Sequence, residues 1–217
     1  MNGCYTQKNV SKMPQTRALR TRDRALKAGA FEFAQHGYSG TTLTDIARTA
    51  GITLGALTFH FATKRALAEA VCLHGRRVTE DETNRVITSS SPALQVIIDI
   101  TYILIRLLRE DDSVRALNRL GRERITSNWH DSWLPHVHAL SERAGAEGKI
   151  SPTSDPLTLT MFATGIVSVV ETSILDVACS QTNTPSSVQV EQMWETILRA
   201  ILPKEVKELP QPGLSRF

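Results

Sequence analysis

Thr42-Leu43-Thr44-Asp45-Ile46-Ala47-Arg48-Thr49-Ala50-Gly51-Ile52-Thr53-Leu54-Gly55-Ala56-Leu57-Thr58-Phe59-His60-Phe61 decides the reading of this 217-residue chain. The stretch reads as two short helices joined by a tight turn. Thr42 caps the first, and Asp45 three residues on completes a capping box. Ile46 and Ala47 give that helix a buried stripe, and Gly51 supplies the positive φ that ends it. Thr53 caps the second helix, in which Ala56 and Leu57 point inward. Short helix, glycine turn, short helix is the helix-turn-helix arrangement, whose second helix enters the major groove of DNA. A helical hairpin that merely packs shares the same local pattern.

Charge separates the two. Residues 1–65 hold ten Lys and Arg against three Asp and Glu, a net of +7, while residues 66–217 hold fifteen against nineteen, a net of −4. A basic head on a mildly acidic body fits phosphate neutralisation at one end, because each neutralised phosphate releases condensed counterions. An anionic membrane surface would also attract such a head, but an aromatic-rich apolar helix face should then accompany it. None does, so DNA is the better reading.

The residues around the turn also carry a family resemblance. From Arg24-Ala25-Leu26 through Phe33-Ala34-Gln35-His36-Gly37-Tyr38, and on through Gly55-Ala56-Leu57, Phe59-His60-Phe61 and Thr63-Lys64-Arg65-Ala66-Leu67, the chain resembles the DNA-binding head of the TetR family of repressors. More locally it is similar to the γ-butyrolactone-receptor branch of that family. That similarity rests on Val114-Arg115-Ala116 with Arg119-Leu120, on Trp133, and on Val190-Glu191-Gln192-Met193-Trp194 with Ile197-Leu198. The head match covers about a quarter of the chain; the branch match is scattered over the rest.

Composition sets wide bounds. A chain of this length accommodates a small head plus one larger helical domain. At 41% hydrophobic and 22% charged it has an ordinary globular balance. No apolar run is expected to reach the eighteen or so residues of a membrane helix; the most apolar, Ile97 to Leu108, is interrupted by Asp99 and Arg106. The first thirteen residues lack a signal-peptide core. Cys4, Cys72 and Cys179 are odd in number and widely spaced, which argues against a disulfide framework and for a reducing cytoplasm, with the DNA reading placing the protein on the nucleoid.

Read for organisation, the chain is all-α, with about nine helices and no strand pattern. Residues 1–15 read as a disordered basic arm, 16–62 as a three-helix helix-turn-helix domain, 63–203 as a ligand-binding and dimerisation domain, and 204–217 as a flexible tail. The first helix runs from about Thr16 to Gln35. A fourth opens at Thr63, where Gly75 inside it marks a hinge, a close ligand approach or a tolerated glycine. Ser91-Pro92 begins a fifth helix and Ser113 caps a sixth. Another starts near Ser127, a long apolar one spans Pro156 to about Ala178, and the last runs from Ser187 to Pro203. The long apolar helix needs cover on all sides. With Val190, Met193, Trp194, Ile197, Leu198 and Ile201 in the last helix, it predicts a two-fold homodimer built on these two helices.

The resemblance implies DNA contacts from Thr42, Thr53, Gly55, Thr58, His60 and Lys64, with Arg20 in the basic arm. Thr42 and Thr53 bring hydroxyls and helix N-terminal N–H groups to phosphates. Two positions depart from the family pattern: Leu54 stands where Lys is usual, and Thr58 where Tyr is usual. Both changes remove a phosphate contact, although Leu54 can instead meet a thymine methyl. Trp133 aligns with a tryptophan of the branch's ligand pocket, Thr164 with a hydrogen-bonding threonine, and His74 lies near a polar ligand position. A wide apolar wall with few polar anchors suits a small amphipathic effector, either a butyrolactone or an antibiotic or pathway intermediate. Glu171, isolated among apolar residues, calls for an Arg partner from the fifth or sixth helix.

The expected mechanism is repression at a pseudo-palindromic operator, relieved when the effector binds. The fourth helix, which joins pocket and head, would be displaced. Enzymatic signatures are missing: there is no glycine-rich phosphate loop, nucleophile elbow, H-E-x-x-H pair or C-x-x-C. His130, His136 and His138 with Asp131 are the one ligand-rich cluster, but on a helix 136 and 138 face apart, so neither metal nor cofactor is expected. The competing class is a helical small-molecule-binding protein or enzyme whose DNA-binding head has degenerated.

Overall fold

The computed structural model describes residues 12–88, 90–175 and 185–203, and among them there are nine α-helices, one 3-10 turn and no strand. The helices are α1 (Lys12–His36), α2 (Leu43–Ala50), α3 (Leu54–His60), α4 (Lys64–Ile87), α5 (Ala93–Glu110), α6 (Asp112–Arg122), α7 (Leu134–Ala146), α8 (Pro156–Leu175) and α9 (Ser187–Ile201). The 3-10 turn, Trp129–Ser132, precedes α7. The expectations for residues 1–11, for 204–217 and for the end of the long helix beyond Leu175 lie outside the described residues.

Several boundaries differ from the sequence reading, each for a local reason. Helix α1 starts at Lys12 rather than Thr16, with Pro14 in its first turn, where a missing N–H leaves no hydrogen bond unmade. Helix α6 is capped by Asp111, not Ser113: one carboxylate oxygen accepts the N–H groups of Ser113 and Val114 at 2.8 and 3.1 Å. A carboxylate makes stronger, charge-assisted bonds to those N–H groups than a hydroxyl does. Helix α5 has Pro92 itself at its cap position, with no side-chain capping bond. The segment near Ser127 divides into the 3-10 turn, capped by Asn128, and then α7.

The first three helices pack as a small trihelical head around Phe33, Ile46, Leu57 and Phe61. Beyond it, α5 is the helix covered on every side, buried from Ala93 almost continuously to Leu108. The sequence reading expected α8 to be covered on one side by its own domain and on the other by a second subunit. Helix α8 packs one side against α5 and α7 and leaves Leu157, Met161, Phe162 and Val169 exposed. Its Pro156–Ile174 stretch, with mean hydropathy 1.5, is long and apolar enough to cross a bilayer, against expectation. Its buried side nevertheless carries an ion pair: Glu171, 4% exposed, meets Arg122 at the end of α6 and His130 in the 3-10 turn. A buried carboxylate held by two partners from elsewhere in the fold is the arrangement of a core helix.

Gly75 has a packing reason that the sequence reading did not weigh. A Cβ there would lie 2.3 Å from the Ser113 carbonyl oxygen, so α4 and α6 touch backbone to backbone. Their contact, together with that between α6 and α1, makes α6 the element that joins the head to the larger domain.

Candidate nucleic-acid interface and effector site

The helix-turn-helix is built as its sequence dictates. Thr42 accepts the Asp45 N–H at 3.1 Å and donates its hydroxyl to the Asp45 carboxylate at 2.5 Å. That hydroxyl, with Arg48 beside it, holds the Asp45 carboxyl below its usual range. Gly51 takes φ +60°, and the N–H groups of Gly51 and Ile52 close onto Arg48 and Ala47, the left-handed cap that ends α2. Arg24 donates to the Gly51 carbonyl at 3.0 Å, tying the turn to α1. Thr53 caps α3 by accepting the Ala56 N–H, and Leu57 anchors that helix in the head's core.

With Leu57 inward, α3 turns Leu54, Gly55 and Phe59 to solvent, and Thr58 and His60 are partly exposed. Phe59 is 83% exposed. The sequence reading did not single it out, although its place two residues after Leu57, about 200° round the helix, puts it on the face opposite Leu57. The Phe59 ring is therefore an exposed apolar group on a basic head, edge-on to the His60 ring at 5.2 Å. Arg20 is exposed on α1. Arg22 lies over the Phe61 ring at 5.2 Å.

Lys64 is placed differently from the other expected contacts. Its ammonium donates to the Tyr38 and Thr41 carbonyls at 2.8 and 2.9 Å and sits 4.2 Å over the Tyr38 ring. Two of its three N–H bonds are therefore spent on the loop between α1 and α2. Tyr38 is a hub: its N–H donates to Glu123 at 2.8 Å, and its ring stacks on Phe33. Arg119, one turn before Glu123, donates to the Gln35 and Ala34 carbonyls at the end of α1. The start of α4 and the end of α6 thus grip the same loop. Nothing in the local sequence signals these contacts, of which those from α6 span 84 or 85 residues.

In the larger domain Trp133 is fully buried, edge-on to Trp129 at 5.7 Å and 5.1 Å from the His130 ring. Trp129, which sequence reasoning passed over, donates to Thr79 of α4 at 3.0 Å, and Thr79 donates to the Gly75 carbonyl. The aromatic pair therefore rests on the α4–α6 contact. The other two expected effector residues do not join it. His74 is exposed on the outer side of α4, opposite the buried Gly75, and Thr164 is half-buried on α8, donating to the Thr160 carbonyl. Arg122, from the end of α6, is the Arg partner that Glu171 required. Among the described residues no cluster of His, Cys, Asp or Glu is placed to hold a metal ion.

Exposed apolar side chains of α8 continue across to α9. An open groove between them is lined by Phe162, Met193 and Ile197, with Gln189 and Gln192 at its edge. Trp194 on the other side of α9 donates to Thr101 of α5, fixing α9 to the domain.

Comparison with known proteins agrees with this architecture. The family of bacterial regulatory proteins, tetR family, matches residues 25–71. The A-factor receptor protein of Streptomyces griseus is 30% identical over 192 residues, covering 86% of this chain. The chain spans 66% of that receptor's length, a little under two thirds. Among solved structures, a gamma-butyrolactone receptor (ArpA-like protein) superimposes with a TM-score of 0.71 at 24% identity, covering 88% of this chain and 91% of that one. The TetR family protein CprB of Streptomyces coelicolor A3(2) does so with 0.70 at 25% identity, covering 85% and 91%. The helix-turn-helix head is thus similar to that of the tetR family of bacterial regulatory proteins over residues 25–71, and the fold of the whole chain corresponds to that of the gamma-butyrolactone receptor structure.

Proposed function

We propose that this protein is a ligand-responsive transcriptional repressor, not an enzyme, which binds a pseudo-palindromic DNA operator as a homodimer in the cytoplasm, on the nucleoid. The observation that carries the reading is α3: a capped helix on a basic head, its outer face bare from Leu54 to Phe59. DNA contacts then come from Arg20, Thr42, Thr53, Leu54, Gly55, Thr58 and His60, with Phe59 packing on sugar or thymine methyl groups. Lys64 contributes chiefly by holding the loop that positions α2.

The exposed stripe of α8 and the groove beside α9 supply the dimer surface, each copy covering the other's Met161 and Phe162. Two α3 helices related by that dyad would sit about 34 Å apart, one DNA turn. The effector is a small amphipathic molecule of γ-butyrolactone type, bound against Trp133. Occupying that position presses on Trp129 and hence on the α4–α6 contact, and the Tyr38 hub passes the change to the head. Release requires that the ligand bind the DNA-incompetent arrangement more tightly.

The test is a gel shift of the purified protein on the DNA upstream of its own gene, with and without a synthetic γ-butyrolactone. A retarded complex that the lactone dissolves supports the reading. No preference for any duplex over random polymer at low salt would overturn it.

A further inference from the structure

Helix α3 has the sequence Leu54-Gly55-Ala56-Leu57-Thr58-Phe59-His60. With Leu57 buried, Gly55 and Phe59 lie within about 20° of the direction opposite it, at 100° per residue. Leu54 and Phe59 are 46% and 83% exposed. The Thr58 hydroxyl donates to the Gly55 carbonyl at 3.2 Å, so its proton is spent on the helix itself. Gly55 has no packing role in the fold: a Cβ there would meet nothing within 4 Å. Glycine inside a helix is destabilising relative to alanine, yet nothing in the protein fills the space its missing side chain leaves. That space faces outward, where it brings the backbone close to whatever the helix docks on.

The surroundings say what docks there. Residues 1–65 hold ten Lys and Arg against three Asp and Glu, and Arg17 and Arg20 of α1 are exposed. Such a head neutralises phosphates. The outer face of α3 adds no cation to it. Bases are told apart in the major groove by paired hydrogen bonds from Arg or Lys to guanine and from Asn or Gln to adenine, and by Asp or Glu to cytosine. None of these residue types occurs in α3. His60, its one titratable group, is turned to within about 60° of Leu57 and lies edge-on to Phe59 at 5.2 Å. The base-edge feature that an apolar side chain complements is the C5-methyl group of thymine. Cytosine methylated at C5 presents the same group in the same groove.

We propose that α3 reads pyrimidine C5-methyl groups through Leu54 and Phe59, so that its target is duplex DNA bearing thymine, or C5-methylated cytosine, at the positions these two side chains meet. This rests on the operator reading above and names what the operator must contain. Contacts from α1 to phosphates give affinity and register but carry no sequence information. Selection comes from the methyl contacts. A methyl group packed against Leu54 or Phe59 leaves water, whereas a duplex lacking it leaves the side chain against a polar base edge. Each methyl so buried changes affinity about fourfold. Gly55 lets the helix sit low enough in the groove for both contacts.

In the experiment the full-length protein selects duplexes from a random pool. Each thymine of the enriched half-site is then replaced by uracil, by cytosine or by 5-methylcytosine, the last two with guanine opposite, and gel shifts read the affinities. At the thymines that α3 meets, uracil should weaken binding about fourfold per methyl lost, and 5-methylcytosine should bind about fourfold more tightly than cytosine. Leu54→Ala and Phe59→Ala, at exposed side chains, should each lose that discrimination at one thymine. Leu54→Lys should steepen the dependence of log affinity on log salt by about one unit; an unchanged slope would place residue 54 off the duplex and overturn its role. Discrimination retained by both alanine variants would overturn the assignment to Leu54 and Phe59, the methyl then acting through duplex shape. Equal binding of thymine and uracil duplexes, or of cytosine and 5-methylcytosine ones, would overturn methyl reading and leave the operator reading intact. If Phe59→Ala lost self-association with DNA affinity unchanged, the face would belong to a second copy and the proposal would fall. Enrichment of no sequence would overturn the operator reading itself.

Discussion

Replacing Gly75 with Ala tests the claim that α4 and α6 meet backbone to backbone. The new Cβ would lie 2.3 Å from the Ser113 carbonyl oxygen, 2.7 Å from its carbon and 3.1 Å from the Val114 nitrogen. All three are main-chain atoms, so no rotamer change relieves the clash. Reaching ordinary contact at 3.4 Å or more requires the helices to part by about 1 Å, loosening Val114 and Leu117 from their core positions; overpacking of this kind costs about 1–3 kcal/mol. Against that, Ala in place of Gly inside a helix gains about 1 kcal/mol. With the cost at the upper end, because the obstacle is backbone, the net loss is about 2 kcal/mol, or a Tm lower by about 4–8 °C for a chain of this size. Gly55→Ala is the control: a Cβ there meets nothing within 4 Å, so its Tm should hold or rise while operator affinity falls. Thermal melts followed by circular dichroism read both. A Gly75→Ala protein as stable as wild type would refute the close approach and, with it, the rigid link between the aromatic pair and the head.

Four further outcomes follow from the same geometry. Glu123→Gln should speed hydrogen exchange at the Tyr38 amide several-fold, since a carboxylate acceptor is replaced by a neutral one, and unchanged protection would remove Glu123 from the joint. Met161→Glu, at a side chain 66% exposed in the single chain, should shift the sedimentation mass from a dimer to the 24.0 kDa of one chain; a mass that stays doubled would exclude the α8 face as the interface. Phe59→Ala should leave stability within about 0.5 kcal/mol of wild type, as an exposed surface change does, yet weaken operator binding in a gel shift. Burial pushes the Cys72 thiol up to about 11 from an ordinary 9. The folded chain therefore holds that proton where the unfolded chain has released it, and stability should decline as pH climbs from about 9 toward 11. Replacing Cys72 with Ala should flatten that decline in pH-dependent urea titrations.

What the sequence made legible was whatever neighbours in the chain decide. Thr42, Asp45, Gly51 and Thr53 cap and break helices within four residues of themselves, so the helix-turn-helix and its outward face could be read directly. Glu171 betrayed its need for an arginine simply by standing in an apolar run. The misreadings came where packing between distant segments decides. Lys64 looks like a free cation until the α1–α2 loop folds back onto it. Gly75 looks like an interruption until Ser113 arrives against it.

The last turn of α6 carries a further consequence. Arg119 and Glu123 hold the head, while Arg122, between them, holds α8. Three grips on two bodies within roughly 5.4 Å of helix leave no slack in the count of residues. A single insertion there would swing the grips beyond it by about 100° relative to those before it, and both sets could not be satisfied together. Length at this point is therefore as strictly constrained as any side chain.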